Sequence, residues 1–147
     1  MARVETCVLT NMCMVYSGTK LLVMERKHQD WGGLTFPGGH VEPKERFDDA
    51  VIREVKEETG LDVANVKLCG ITQWVHKDNR FRYIAFLYKT DTFSGELKCS
   101  DEGEIFWIER EDLHKYALSD GFEDMLEVYD ETASEKFFIT DQDDWIN

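Results

Sequence analysis

Proline is nearly absent from this chain: Pro37 and Pro43 are the only two in 147 residues. There is also no Pro/Gly/Ser-rich linker, no internal repeat and no low-complexity tract. Nothing therefore marks a domain boundary, and residues 1–147 read as one domain, with 132–147 a candidate C-terminal tail. No apolar run approaches the ~20 residues a membrane helix requires. The start, Met1-Ala2-Arg3-Val4-Glu5, lacks a signal-peptide pattern. A soluble, cytoplasmic protein without a membrane partner is expected. Cysteine is sparse and scattered: Cys7, Cys13, Cys69 and Cys99 form no C-x-x-C pair and have no histidine at zinc spacing. They are expected to be reduced and mostly buried.

Basic residues are short in one region only. Residues 1–100 hold fourteen acids and fourteen bases, whereas residues 101–147 hold sixteen acids against Arg110, Lys115 and Lys136. That segment carries the whole net charge of −13. So acidic a surface argues against polymeric nucleic acid as a partner, since that needs a positive footprint. A small anion remains compatible if metal ions mediate the contact.

What is present reads as alternating strands and helices. Val4–Tyr16 and Lys20–Arg26 have strand character and flank a Ser17-Gly18 turn. Glycine pairs punctuate a loop at Trp31-Gly32-Gly33 and Pro37-Gly38-Gly39. A helix is expected from Arg46 to Thr59, closed by Gly60. Val63–Trp74, Arg82–Thr90 and Ile105–Ile108 are β-rich, and Glu111–Tyr116 and Asp120–Tyr129 have helical patterns. Phe137-Phe138-Ile139 reads either as a late strand or as a docking segment. The fold class is α/β, a mixed central sheet with helices on both faces.

The helix at 46–59 carries the chemistry. Phe47, Ala50, Val51 and Val55 form a core-facing stripe. Glu54, Glu57 and Glu58, spaced i, i+3, i+4, share a face that largely coincides with that stripe one or two turns on. A solvated charged face is the ordinary outcome for such a run. Here the carboxylates lie inward and toward the C-terminal half, where the helix dipole disfavours negative charge. Like charges ~4 Å apart repel by about 1 kcal/mol in water and ~4 kcal/mol at an effective dielectric of 20. A divalent cation such as Mg²⁺, or Mn²⁺ in its place, converts this repulsion into binding. Gly38-Gly39 after Pro37 allows a backbone carbonyl to approach such an ion, although an ordinary turn accounts for the pair equally well.

Gly39, five residues, Glu45, seven residues, then Arg53-Glu54-Val55-Lys56-Glu57-Glu58-Thr59-Gly60-Leu61 resembles the Nudix box at every specified position. A chance match at a given start is on the order of 10⁻⁹ at average composition, which makes this a strong signal. The resemblance implies a Nudix-type α/β/α sandwich and Mg²⁺-dependent hydrolysis of a nucleoside diphosphate derivative. It implies Glu54, Glu57, Glu58 and the Gly39 carbonyl as metal ligands. Arg53 would orient Glu54 or Glu57, while Gly38, Glu45 and Gly60 would be structural members of the box. The water's proton would pass to a box glutamate such as Glu58, or to Glu102 in the Asp101-Glu102-Gly103-Glu104 stretch.

The substrate is less constrained. Leu34–Glu42, and the stretch from Gly95-Glu96-Leu97 through Glu104 to Trp107, are similar to the MutT-like, mutator-preventing branch. Asp120 sits where that branch has an acidic residue contacting the base. This favours an oxidised purine triphosphate such as 8-oxo-dGTP, cleaved to monophosphate and pyrophosphate. Phe36, Trp74 or Phe81 would stack on the base, though filling the core is the commoner role for each, and Asp120 equally serves as a helix N-cap. The markers common in ADP-ribose and dinucleoside polyphosphate branches, a proline or a tyrosine some fifteen to seventeen residues past the box, are missing. A broad nucleoside triphosphate, nucleotide-sugar or dinucleoside polyphosphate hydrolase remains an alternative. So does a non-catalytic nucleotide sensor, although the box is intact. Either a monomer or a homodimer fits.

Overall fold

A computed structural model describes residues 3–26, 32–98 and 103–146. The elements are β1 (Cys7–Ser17), β2 (Lys20–Arg26), β3 (Gly33–Thr35), α1 (Phe47–Thr59), β4 (Asp62–Ala64), β5 (Lys67–His76), β6 (Arg82–Thr90), β7 (Thr92–Ser94), β8 (Gly103–Glu109), α2 (Phe122–Tyr129) and β9 (Glu135–Thr140). The main sheet runs β3-β2-β1-β6-β5-β9, with β8 paired along β2. It is mixed, as expected: β1–β6 and β5–β9 are parallel, and the other pairings are antiparallel.

Alternation along β1 divides the core. Cys13 and Val15 face α1 and pack with Val51, Val55, Leu61 and Tyr88. Met14 faces α2, with Ala85, Phe36, Phe122, Met125 and Tyr129. The sheet is thus covered by α1 on one face and α2 on the other, giving an α/β/α sandwich. Among the described residues, no helix is long and apolar enough to cross a membrane.

One feature of the topology positions the site. β1 pairs with β2 only at Tyr16–Leu21 and Ser17–Lys20. Farther back the two strands diverge, and the stretch before α1 takes the vacated edge. Cys13 N–H donates to the Pro37 carbonyl, Asn11 N–H to the Gly39 carbonyl and Val41 N–H to the Leu9 carbonyl, at 2.8–3.0 Å. The glycine pair therefore lies in the sheet plane, where a side chain has no room. A Cβ on Gly38 would sit 2.1 Å from the Asn11 carbonyl oxygen.

Several expectations are corrected. β1 begins at Cys7 rather than Val4. The segment around 111–116 is a 3-10 helix, Arg110–Lys115. Of the two readings of Phe137-Phe138-Ile139, the late strand holds, as β9 parallel to β5, and β4 with β7 forms a separate two-stranded ribbon. Phe47 is 40% exposed and leaves the core stripe, because it stacks on Phe86 at 4.3 Å across the rim. Of the three described cysteines, Cys13 is buried, Cys69 is half-buried and Cys7 is exposed, all as free thiols. Cys99 lies outside the described residues.

Val55 anchors α1 with no exposure. Val55→Ala is expected to cost about 2 kcal/mol through lost burial and a residual cavity. Chemical denaturation would measure it.

Candidate active site

α1 opens on Phe47 and ends at Gly60, whose left-handed backbone (φ 85°) lets its N–H bond the Lys56 carbonyl. A Cβ there would also lie 2.7 Å from the Glu96 carbonyl oxygen. Thr59, fully buried, bonds the Val55 carbonyl and receives the Leu61 N–H, which turns the chain toward β4. These contacts fix where the helix ends and hold its acidic half against the Gly38-Gly39 stretch.

At the centre is Arg53, whose five guanidinium N–H donors all have acceptors. Nε donates to Glu45 Oε2 at 2.8 Å, and one terminal nitrogen donates to Glu45 Oε1 at 2.9 Å and to the His40 carbonyl at 3.0 Å. The other donates to Glu54 Oε1 at 2.9 Å and Glu57 Oε2 at 3.2 Å. The sequence pointed to Glu54 or Glu57 as the partner of Arg53. Both bond it, sharing one nitrogen, and Glu45 is in addition its two-pronged partner. Glu45 also accepts the Glu42 N–H at 3.0 Å. The Arg53 hydrogen bonds, with that N–H adding to them, lower the Glu45 pKa from its ordinary 4.5 to about 2. Arg53 is raised in turn, chiefly by Glu45.

The three helix glutamates are not equally inward. Glu54 is nearly buried, with 14% side-chain exposure, Glu58 is half-buried and Glu57 is exposed at 57%. Glu57 departs from the expected inward cluster and bonds Arg53 from the exposed side of the helix. Glu54 lies directly against Gly39: a Cβ on that glycine would be 2.3 Å from Oε2. Glu58 Oε2 accepts the Gly38 N–H at 3.1 Å. Glycine is required at both positions so that carboxylates and backbone can meet.

Among the described residues, no three His, Cys, Asp or Glu side chains converge closely enough to hold an ion. Glu54 and Glu57 turn instead to Arg53. The donor set nevertheless suits a divalent cation: hard carboxylate oxygens of Glu54 lie against the Gly39 backbone and of Glu58 against the Gly38 N–H, in a cradle that a Cβ would fill, with Glu57 exposed beside it.

The proposed base-binding residues divide. Phe36 has no exposure and is locked between Phe122 and Tyr129, at 4.7 and 5.2 Å. Phe81 is 1% exposed against His76 and Trp145. Neither ring offers a face to a base, because core packing has claimed both. Trp74 is half-buried, stacked on Phe138 at 5.6 Å with Tyr83 and Trp145 edge-on at 5.9 and 5.5 Å, and its ring lies 3.5 Å from where a Gly121 Cβ would be, next in the chain to Asp120. Asp120 is exposed in the preceding turn. The N-cap of α2 is Gly121, without a side-chain cap, so Asp120 does not play that part. Two residues before Trp74, on the same face of β5, the Thr72 hydroxyl is buried and has no partner among the described residues. Glu102 lies outside the described residues. Thr72, Asn11 and the His40 carbonyl were missed from sequence. The available signal was polar residues within otherwise buried strands.

The family described as NUDIX domain matches residues 8–131. This chain belongs to the Nudix family, a family of pyrophosphohydrolases whose members generally require divalent metal ions. It is 35% identical over 107 residues to the ADP-ribose pyrophosphatase of Methanocaldococcus jannaschii, covering 71% of this chain and 63% of that protein. A 53-residue stretch is 51% identical to YtkD of Bacillus subtilis, provisionally named an 8-oxo-dGTP diphosphatase, covering 36% of this chain and 32% of YtkD. The fold is similar to the crystal structure of a MutT NUDIX hydrolase from Burkholderia pseudomallei, with TM-score 0.72 and 26% identity over 84% of this chain and 98% of that one.

The Glu45 carboxylate has a pKa below its ordinary value, so the stability it adds is complete above pH 4.5 and lost as pH falls toward about 2. In thermal melts across that window without metal, wild type is expected to lose more than Glu45→Gln. Parallel curves would refute the coupling.

Proposed function

We propose that this chain is a metal-dependent nucleoside triphosphate pyrophosphohydrolase acting as one domain over residues 1–147. Its favoured substrate is an oxidised purine deoxynucleotide such as 8-oxo-dGTP, cleaved to the monophosphate and pyrophosphate. The observation that carries the reaction class is the contact of Glu54 and Glu58 with the Gly38-Gly39 backbone, organised by the saturated Arg53 fork. Glu54, Glu57, Glu58 and the Gly39 carbonyl are the residues that would hold Mg²⁺, or Mn²⁺ in its place. When bound, such an ion neutralises phosphate oxygens and acidifies a water. Arg53 keeps Glu54 aligned through a charge-assisted bond. The proton acceptor is Glu58 or Glu102.

The oxidised-purine reading is supported by the exposed Asp120 and the unpartnered Thr72 hydroxyl, polar groups suited to a base edge, beside the half-buried Trp74. It is also supported by the YtkD likeness. The archaeal relative favours a second reading, ADP-ribose hydrolysis. A nucleotide panel with Mg²⁺ separates them. Pyrophosphate release from 8-oxo-dGTP well above dGTP is the expected result, and AMP formation from ADP-ribose without it would favour the second reading. No turnover of any member would leave only a nucleotide sensor.

Glu54→Gln and Glu58→Gln are each expected to lower turnover by about 10²-fold or more with the fold intact. Near-normal rates at saturating Mg²⁺ in either variant would sink these assignments. Asp120→Asn is expected to change the preference between 8-oxo-dGTP and dGTP more than it changes turnover, as read from the ratio of kcat/KM values.

A further inference from the structure

Asn11 stands in the middle of β1 at 4% exposure, between Leu9 and Cys13, where asparagine is disfavoured. Its backbone N–H donates to the Gly39 carbonyl at 2.8 Å, and its side-chain Oδ1 accepts the Gly39 N–H at 3.1 Å. Those two bonds clamp Gly39 from both sides. They also fix the amide's orientation, since a flip would set two donors against each other. The remaining group, Nδ2, is buried and has no hydrogen-bond partner among the described residues. A buried donor left unmade costs free energy, so its retention calls for an acceptor in some state of the protein.

By strand alternation Asn11 projects to the same face as Cys13 and Val15, the face that α1 covers. Gly39 touches both Asn11 and the Glu54 carboxylate. Glu54 gives only Oε1 to Arg53, while Oε2 lies against the glycine.

We propose that Asn11 is a positioning residue of the box. Its Oδ1 locks Gly39, and its Nδ2–H donates to the Glu54 carboxylate once that side chain turns to ligate a divalent ion. The inference rests on the box being a divalent-ion site. Arg53 holds the carboxylate through Oε1 in both states, and in the loaded state the asparagine amide adds a restraint from the Gly39 side. Such outer partners set the orientation and basicity of metal ligands.

The test is a Mg²⁺ titration of the whole metal-free chain followed by ¹⁵N NMR, with the Asn11 side-chain amide identified by its loss in Asn11→Asp. The expected result is that one Nδ2 proton moves downfield and exchanges more slowly with water. It should do so in step with the backbone amides of Gly38, Gly39 and Glu58. If those backbone amides respond and the Asn11 side chain does not, the inference falls and the metal site stands. If none responds, both fall. A purely structural asparagine would show no new hydrogen bond on adding the ion. Asn11→Leu adds a second readout: Mn²⁺ affinity is expected to fall by about tenfold or more. Unchanged affinity in a folded Asn11→Leu would overturn the inference, and if that variant does not fold, the wild-type titration alone decides.

Discussion

Everything at this site depends on one guanidinium with no donor to spare. Arg53 joins three stretches that sequence separates: the loop at His40, the turn at Glu42–Glu45 and the helix face at Glu54 and Glu57. A lysine could not replace it, because an ammonium has three donors and no planar fork to match the Glu45 carboxylate. The exposed members of this network add little to stability taken singly. Their contribution is geometric: Glu45 is held fully ionised, and the loop that carries Gly38 and Gly39 is tied to the helix that carries the carboxylates.

The second constraint is steric. β1 and β2 part after two paired residues, and the Pro37–Val41 stretch fills the gap as a surrogate strand. This explains why glycine stands at both 38 and 39. One would collide with the Asn11 backbone and the other with the Glu54 carboxylate. Sequence alone suggested close approach of a carbonyl to a metal. The structure shows a prior need, close approach of the chain to itself.

The box, the helix and the mixed sheet were legible because each leaves a local signature: fixed spacing, 3.6-residue periodicity and β-rich runs. Less legible was anything decided across the chain. Phe36 and Phe81 have the composition of stacking residues, yet neighbours from α2 and the C-terminal segment enclose them. Phe47 fits the apolar stripe by spacing but sits at the helix start, where Phe86 draws it to the rim. The pairing of Arg53 with Glu45 spans eight residues and a loop, and no periodicity reports it. Thr72 and Asn11 looked like incidental polar residues until burial set them apart.

The charge distribution then acquires a reason. A chain of net charge −13 repels a polyanionic substrate over distance, and the box offers little to reverse that. Of the four basic side chains in the box, the two beside the clustered glutamates are engaged: Arg53 has used all five donors, and Lys56 holds Asp62 and the Gly60 carbonyl. Arg53 has no donor to give a phosphate without breaking a bond that shapes the site. In the proposed function a divalent cation supplies the neutralisation, and the carboxylates are what the chain provides to hold it. Their mutual repulsion, which makes α1 a poor helix by charge alone, is the property on which that proposed cation site rests.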